Sequence, residues 1–141
     1  MARQKEIFIT KFDYTRLKNL IGSYAPGGQG KGGGTISKLS FELARAEKMD
    51  PEKIAPDVVT MNSTFWLKDL DTADDPREFT LVFPEEADFD SGKISVLSPV
   101  GAAVLGYRAG DVIFWDVPAG EKSFKIEGIL YQPEAAGDYH L

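Results

Sequence analysis

The stretch 95-SVLSPVGAAVLG-106 decides the fold of this chain. Ser95, Val96 and Leu97 read as the end of a strand. Ser98 is a strong helix N-cap, and Pro99 suits the first helical turn, where a missing N–H leaves no bond unmade. Gly106 supplies the stop signal. Between these signals stand Val100, Ala102, Ala103, Val104 and Leu105, apolar on every side of so short a helix. Such a helix belongs inside a molecule, and a sheet must wrap it.

The flanking sequence supplies that sheet. From Asp57 onward the hydrophobic period is two: Val59, Met61, Phe65 and Leu67 share a face, as do Phe79, Leu81 and Phe83. Polar turns DLDTADDP and PEEADFDSG lead from one strand to the next and into KISVL. After the helix, VIFWDV places Ile113, Trp115 and Val117 on one side, and SFKIEGILYQ follows the turn PAGEK. These segments predict an α+β unit, a curved antiparallel sheet of about five strands around one short helix.

Upstream the period is helical. Tyr14, Leu17, Leu20, Ile21 and Tyr24 predict a helix over 14–24, with Asp13 as its cap and Phe12 stapled onto Leu17. The glycine-rich stretch 25–35 breaks it. Thr35 then caps a second helix through Ile36, Leu39, Leu43 and Ala46, ending near Met49, and the two should fold back as an antiparallel hairpin. Asp50-Pro51 starts one more turn, and Ile54-Ala55-Pro56 reads as a linker. The expected organisation is a hairpin over 1–56 and a sheet-and-helix unit over 57–141.

The 141 residues, 43% of them hydrophobic, suffice for a real core. The absence of cysteine excludes disulfides and thiolate chemistry and fits a reducing compartment, so a cytoplasmic location is expected. The N-terminus MARQKEIFITKFD has no apolar core of signal-peptide length, and no run approaches a membrane span. A net charge of −6 argues against a general nucleic-acid binder. Residues 1–56 hold ten Lys and Arg against six Asp and Glu, whereas residues 57–141 hold six against sixteen. The two parts therefore suit different electrostatic partners, or the carboxylates simply solvate the second part.

Several chemistry-bearing patterns fail on detail. In GGQGKGGGT, Lys31 precedes Gly32 rather than Ser or Thr, and the preceding segment is helical, so the loop departs from a phosphate-binding loop. His140 is the sole histidine and adjoins the end of the sequence, which supports neither a metal centre nor a Ser-His-Asp triad. Asp69, Asp71, Asp74 and Asp75 lack the spacing and glycine of a calcium loop and read as a solvated turn. No metal or cofactor is expected.

Three stretches together carry a family resemblance: DVVTMNS at 57–63, LSPVGAAVLGYRAGD at 97–111 and YQPEAAGDYHL at 131–141. They closely resemble the Rnk family, the regulators of nucleoside diphosphate kinase, within the wider Gre group of transcript-cleavage factors. The resemblance implies an FKBP-like C-terminal domain after a short helical hairpin, and an RNA polymerase partner docked at the rim of the secondary channel. It implies docking residues at Leu97, Ser98, Pro99 and Val100, with Leu105 and Arg108 as neighbours. Capping and burial explain Ser98, Pro99 and Val100 equally well.

One departure from the Gre pattern bears on activity. A transcript-cleavage factor needs carboxylates at the tip of a long hairpin to help hold a catalytic Mg²⁺. Here Pro26 to Gly34 contains no Asp or Glu, and its one charge is Lys31. About 12 residues per helix at about 1.5 Å each give an arm of about 18 Å, short for a probe of the channel. The expected protein is a non-enzymatic regulator that competes with Gre-type factors, with no membrane or sequence-specific nucleic-acid partner. The alternatives are a Gre-like cleavage factor and an FKBP-like prolyl isomerase or chaperone, whose cleft would use Trp66, Phe83 or Trp115.

Overall fold

The computed structural model describes residues 7–24, 33–72, 75–117, 120–138 and 141. The chain begins with β1 (Phe8–Thr10), α1 (Lys11–Tyr24), α2 (Gly33–Arg45) and β2 (Glu47–Met49). It continues through β3 (Thr64–Asp69), β4 (Arg77–Val82), β5 (Lys93–Ser95), α3 (Pro99–Val104), β6 (Val112–Val117), β7 (Gly120–Tyr131) and α4 (Pro133–Ala136). Short 3₁₀ turns stand at Pro51–Lys53, Pro84–Glu86 and Phe89–Ser91.

The five expected strands form one sheet in the order β5-β4-β3-β7-β6. It is mixed rather than wholly antiparallel, because β5 runs parallel to β4, with Leu81 opposite Ile94. Period-two patterning selects which side chains turn inward but is silent on strand direction; the 3₁₀ turns between β4 and β5 return the chain to run the same way. Phe65 and Leu67 point inward from β3 while Trp66 points out. Val59 and Met61 are buried as expected but lie outside the strand. The chain turns before β3: Ser63 N–H donates to Thr60 O at 3.0 Å, and Asn62 adopts a left-handed φ of 68°.

The central helix is as the opening stretch requires. Ala103, Val104 and Leu105 are buried in a cluster with Phe65, Leu81, Ile94, Ile113 and Ile126, and Ala102 is buried beside them in the helix. Burying each large member contributes about 1.5–3 kcal/mol. Beyond the helix, Gly106 has a φ of 86°, and a Cβ there would stand 2.9 Å from Ile7 Cβ. Its N–H donates to Val59 O at 2.9 Å and its carbonyl accepts from Phe8 N–H at 3.2 Å, so this glycine joins three segments.

The N-terminal part differs in detail from its expected form. Helix α1 starts at Lys11, with Asp13 inside its first turn; Thr10 Oγ1 is the acceptor, taking the Asp13 N–H at 3.0 Å. Phe12 is exposed at 38% and lies under the Arg16 guanidinium, whereas Leu17 is buried. Helix α2 ends at Arg45 rather than near Met49. Its last turn tightens through Ala46 N–H to Leu43 O at 3.3 Å, and Glu47–Met49 leaves to pair in parallel with Phe8–Thr10. Only three residues long, each of these strands is too short to show a period. Of the expected turn over 25–35, residues 25–32 lie outside the described residues, and α2 already begins at Gly33, so Thr35 stands inside the helix and not at its cap. Ile7, Ile9, Leu17, Leu39 and Leu43 share one core cluster with the sheet residues.

Candidate functional site

The entrance to α3 is a turn that satisfies its own polar groups. Ser95 O accepts the Ser98 N–H at 3.0 Å and the Ser98 hydroxyl at 2.7 Å. Ser98 Oγ in turn accepts the Gly101 N–H at 3.1 Å, and Ser95 Oγ accepts the Leu97 N–H at 2.9 Å. Gly101 fits so closely beneath Ser95 that an added Cβ would stand 2.0 Å from Ser95 O. No other residue can occupy that position without moving the turn.

Around this cap, Leu97 and Val100 are half-buried, each resting on the core while keeping a face to solvent. Pro99 holds the first helical position; its ring is outside the described side chains. Leu105 does not join this edge, being 2% exposed and part of the core. Arg108 lies past the other end of the helix, whose six residues at about 1.5 Å each span about 9 Å. There its guanidinium pairs with Asp57 at 3.1 and 3.2 Å, and its backbone N–H donates to Asp111 Oδ2 at 2.9 Å. The structure thus gathers Leu97, Ser98 and Val100, and sets Leu105 and Arg108 apart.

A second polar constellation ties α1 to the turn before β3 and to α4. Asp13, 1% exposed, pairs with Arg16 and accepts the Met61 N–H at 3.0 Å. Arg16 and Asn62 both donate to Leu141 O, at 2.7 and 3.1 Å. The Arg16 guanidinium is 3.9 Å from the Phe12 ring centre and 4.9 Å from that of Phe83. Thr60 donates to Glu134 Oε1 at 2.7 Å and shares a 2.8 Å bond with Ser63 Oγ. Burial raises the Glu134 carboxyl above its ordinary value, with the Asp13 charge adding to the effect and the Thr60 hydroxyl opposing it. Burial likewise raises Asp13, against the Arg16 and Met61 hydrogen bonds.

Sequence reasoning missed this joint. Its one visible signal was the pairing of Asp13 and Arg16 across one helical turn, and its partners arrive from 48 to 125 residues away. Of the proposed cleft aromatics, Trp66 faces outward at 37% exposure and Phe83 borders an open cleft of about 480 Å³ with Arg16, Asn62 and Leu141. Trp66 does not line that cleft, and the side chain of Trp115 is outside the described residues, as are Asp74 and His140. Asp69 pairs with Lys122 at 2.7 Å, and Asp71 accepts the Ser123 N–H at 3.0 Å, so both serve the turn between β3 and β4 and its junction with β7. Among the described residues, no helix is long and apolar enough to cross a membrane.

Residues 54–131 match the model of the family described as transcription elongation factor, GreA/GreB, C-terminal. The chain belongs to that family. The matched span includes the α3 entrance, the Arg108–Asp57 pair and the Thr60 turn. The chain is 44% identical over 104 residues to the regulator of nucleoside diphosphate kinase of Escherichia coli K12, covering 73% of this chain and 76% of that protein. It is 45% identical over 95 residues to transcription elongation factor GreA of Chlorobaculum parvum, covering 67% of this chain and 60% of that protein. The structure resembles that of a GreA/GreB-type transcription elongation factor from Nitrosomonas europaea, with a TM-score of 0.72 and 38% identity, covering 89% of this chain and all of that one. The GreA/GreB assignment agrees with the family read from 57–63, 97–111 and 131–141.

Proposed function

We propose that this chain is a non-enzymatic transcription regulator that binds RNA polymerase at the rim of the secondary channel and competes there with Gre-type factors. The observation that carries this reading is the GreA/GreB match over residues 54–131, which spans a cap at Ser98 that is satisfied within itself while Leu97 and Val100 keep solvent-facing surface. Because the cap needs no partner of its own, the edge is preformed, and docking demands little ordering. In this reading residues 1–56 contribute a short helical hairpin whose Leu17, Leu39 and Leu43 share the sheet's core, and residues 57–141 form an FKBP-like docking unit. The acidic unit suits a basic rim, and the segment 26–34, without a single carboxylate, supplies no ligand for a catalytic Mg²⁺. Any effect on nucleoside diphosphate kinase is then indirect, through transcription, and the protein acts in the cytoplasm.

The test is co-purification followed by competition. Tagged protein should retain core polymerase subunits and should reduce transcript cleavage by an added Gre factor on a stalled elongation complex. On its own, with Mg²⁺, it should leave the transcript intact. Failure to retain polymerase removes the docking proposal, and shortened RNA in the absence of a Gre factor replaces competition with cleavage.

A further inference from the structure

Phe89 is the most exposed large apolar side chain among the described residues, at 61%. Its turn is nevertheless built rather than loose. Asp88 and Lys93 exchange both backbone hydrogen bonds at 2.9 Å, and the Ser91 hydroxyl donates to Asp88 Oδ2 at 2.9 Å. Gly92 closes the turn at a φ of 81°, where a Cβ would stand 3.0 Å from Glu78 O. The ring of Phe89 is backed by Phe79 at 6.2 Å, and the Arg77 guanidinium lies 5.6 Å from it. An exposed aromatic held in place by a second ring and an arginine has the make-up of an interface hot spot.

The surroundings narrow the partner. Glu85, Glu86, Asp88 and Asp90 are all exposed beside the ring, in a half of the chain holding sixteen acids against six bases. A second copy would bring like charge to the same patch, whereas a basic surface complements it. The turn also lies at one end of β5, an edge strand of the sheet, with the Ser98 cap at the other end. Three residues at about 3.3 Å each separate them by about 10 Å of strand. The strand is closed to addition of another: Lys93 is paired with Asp88, and Ser95 O is taken by Ser98. Recognition along this edge must therefore use side chains.

We infer that the Phe89 turn is a second anchor for the protein partner, inserting its ring into an apolar notch on a basic surface while Ser98 and its neighbours dock at the other end of β5. This rests on the polymerase reading above and extends that docking edge. The experiment is a binding titration of core RNA polymerase with wild type, Phe89→Ala and Asp90→Lys at low and moderate salt. Phe89→Ala should weaken binding by about tenfold or more. Asp90→Lys, which keeps the ring, should slow association and flatten its salt dependence. If wild type binds and both variants stay within about twofold of it at both salts, the anchor is wrong although the polymerase reading stands. If wild type does not bind, the polymerase reading falls and the anchor with it. A wild-type dimer in sedimentation that Phe89→Ala dissociates overturns the inference by assigning the ring to a second copy. Should Phe89→Ala lower the thermal midpoint sharply, the Asp90→Lys salt profile decides.

Discussion

The entrance of α3 and the joint around Asp13 are both networks of polar side chains, and they are wired in opposite ways. At the entrance the side-chain bonds span two or three residues, from Ser95 to Leu97 and from Ser98 to Gly101. At the joint two local bonds, Arg16 to Asp13 and Thr60 to Ser63, are tied together by others that span 48, 74, 79 and 125 residues, linking α1, the Thr60 turn, α4 and Leu141. A locally wired turn keeps its shape with little help and can leave apolar atoms free for a partner. A long-range joint forms only when the whole fold forms, and it positions α1 against the sheet.

That contrast can be broken by stability measurements. Asp13→Ala should have the largest effect, about 3 kcal/mol in urea unfolding, because it strands the Met61 N–H and half of a largely buried ion pair. Ser98→Ala should cost less, about 1 kcal/mol, the ordinary value of a lost N-cap, with Ser98→Thr close to neutral. If Ser98→Ala proves the costlier change, the entrance is not the self-contained unit described here.

A smaller effect sharpens the account of the joint. The folded Glu134 carboxyl lies above its ordinary value of 4.5, so the unfolded state releases this proton first as pH rises. The stability it contributes is full below that value and is lost as pH climbs through the folded one. Wild type should therefore lose more stability between pH 4 and pH 7 than Glu134→Gln, in urea midpoints taken at the two values. Equal losses would show that Thr60 and Arg16 fully offset the burial. Smallest for stability, and clearest in a spectrum, is Tyr131. The Asp138 carboxylate accepts its O–H and pushes the phenol up to about 12. An ultraviolet titration should show this tyrosine returning toward its ordinary value of 10.0 in Asp138→Asn.

The same contrast explains what the sequence disclosed. The Ser98 cap, the Pro99 position, the Gly106 stop and the burial of Ala102 to Leu105 all follow from neighbours within a few residues, and each stands where the reading placed it. All five strands are present too, since alternation marks which residues face inward, although β3 starts only at Thr64 and β7 already at Gly120. The parallel pairing of β4 with β5 and of β1 with β2 depends on how intervening turns return the chain, which no local pattern encodes. Asp13 shows the limit most clearly. Beside Phe12 it reads as a cap, but its carboxylate is recruited by Met61, 48 residues away. Phe89 was hidden for a different reason: in PEEADFDSG a lone aromatic among acids looks like one more residue of a polar turn, and only its exposure sets it apart.

In the proposed function the Ser98 entrance is a docking edge and not merely a helix cap. Ser98→Asp tests the two roles, because aspartate still accepts the Gly101 N–H and places a charge on the edge, although it gives up the bond that the Ser98 hydroxyl donates to Ser95 O. The most direct measurement is the affinity of core RNA polymerase for wild type, Ser98→Thr and Ser98→Asp, with thermal midpoints taken alongside. The account predicts that Ser98→Thr binds like wild type and that Ser98→Asp, still folded, binds about tenfold more weakly or worse. A folded Ser98→Asp protein that binds polymerase as tightly as wild type would contradict it.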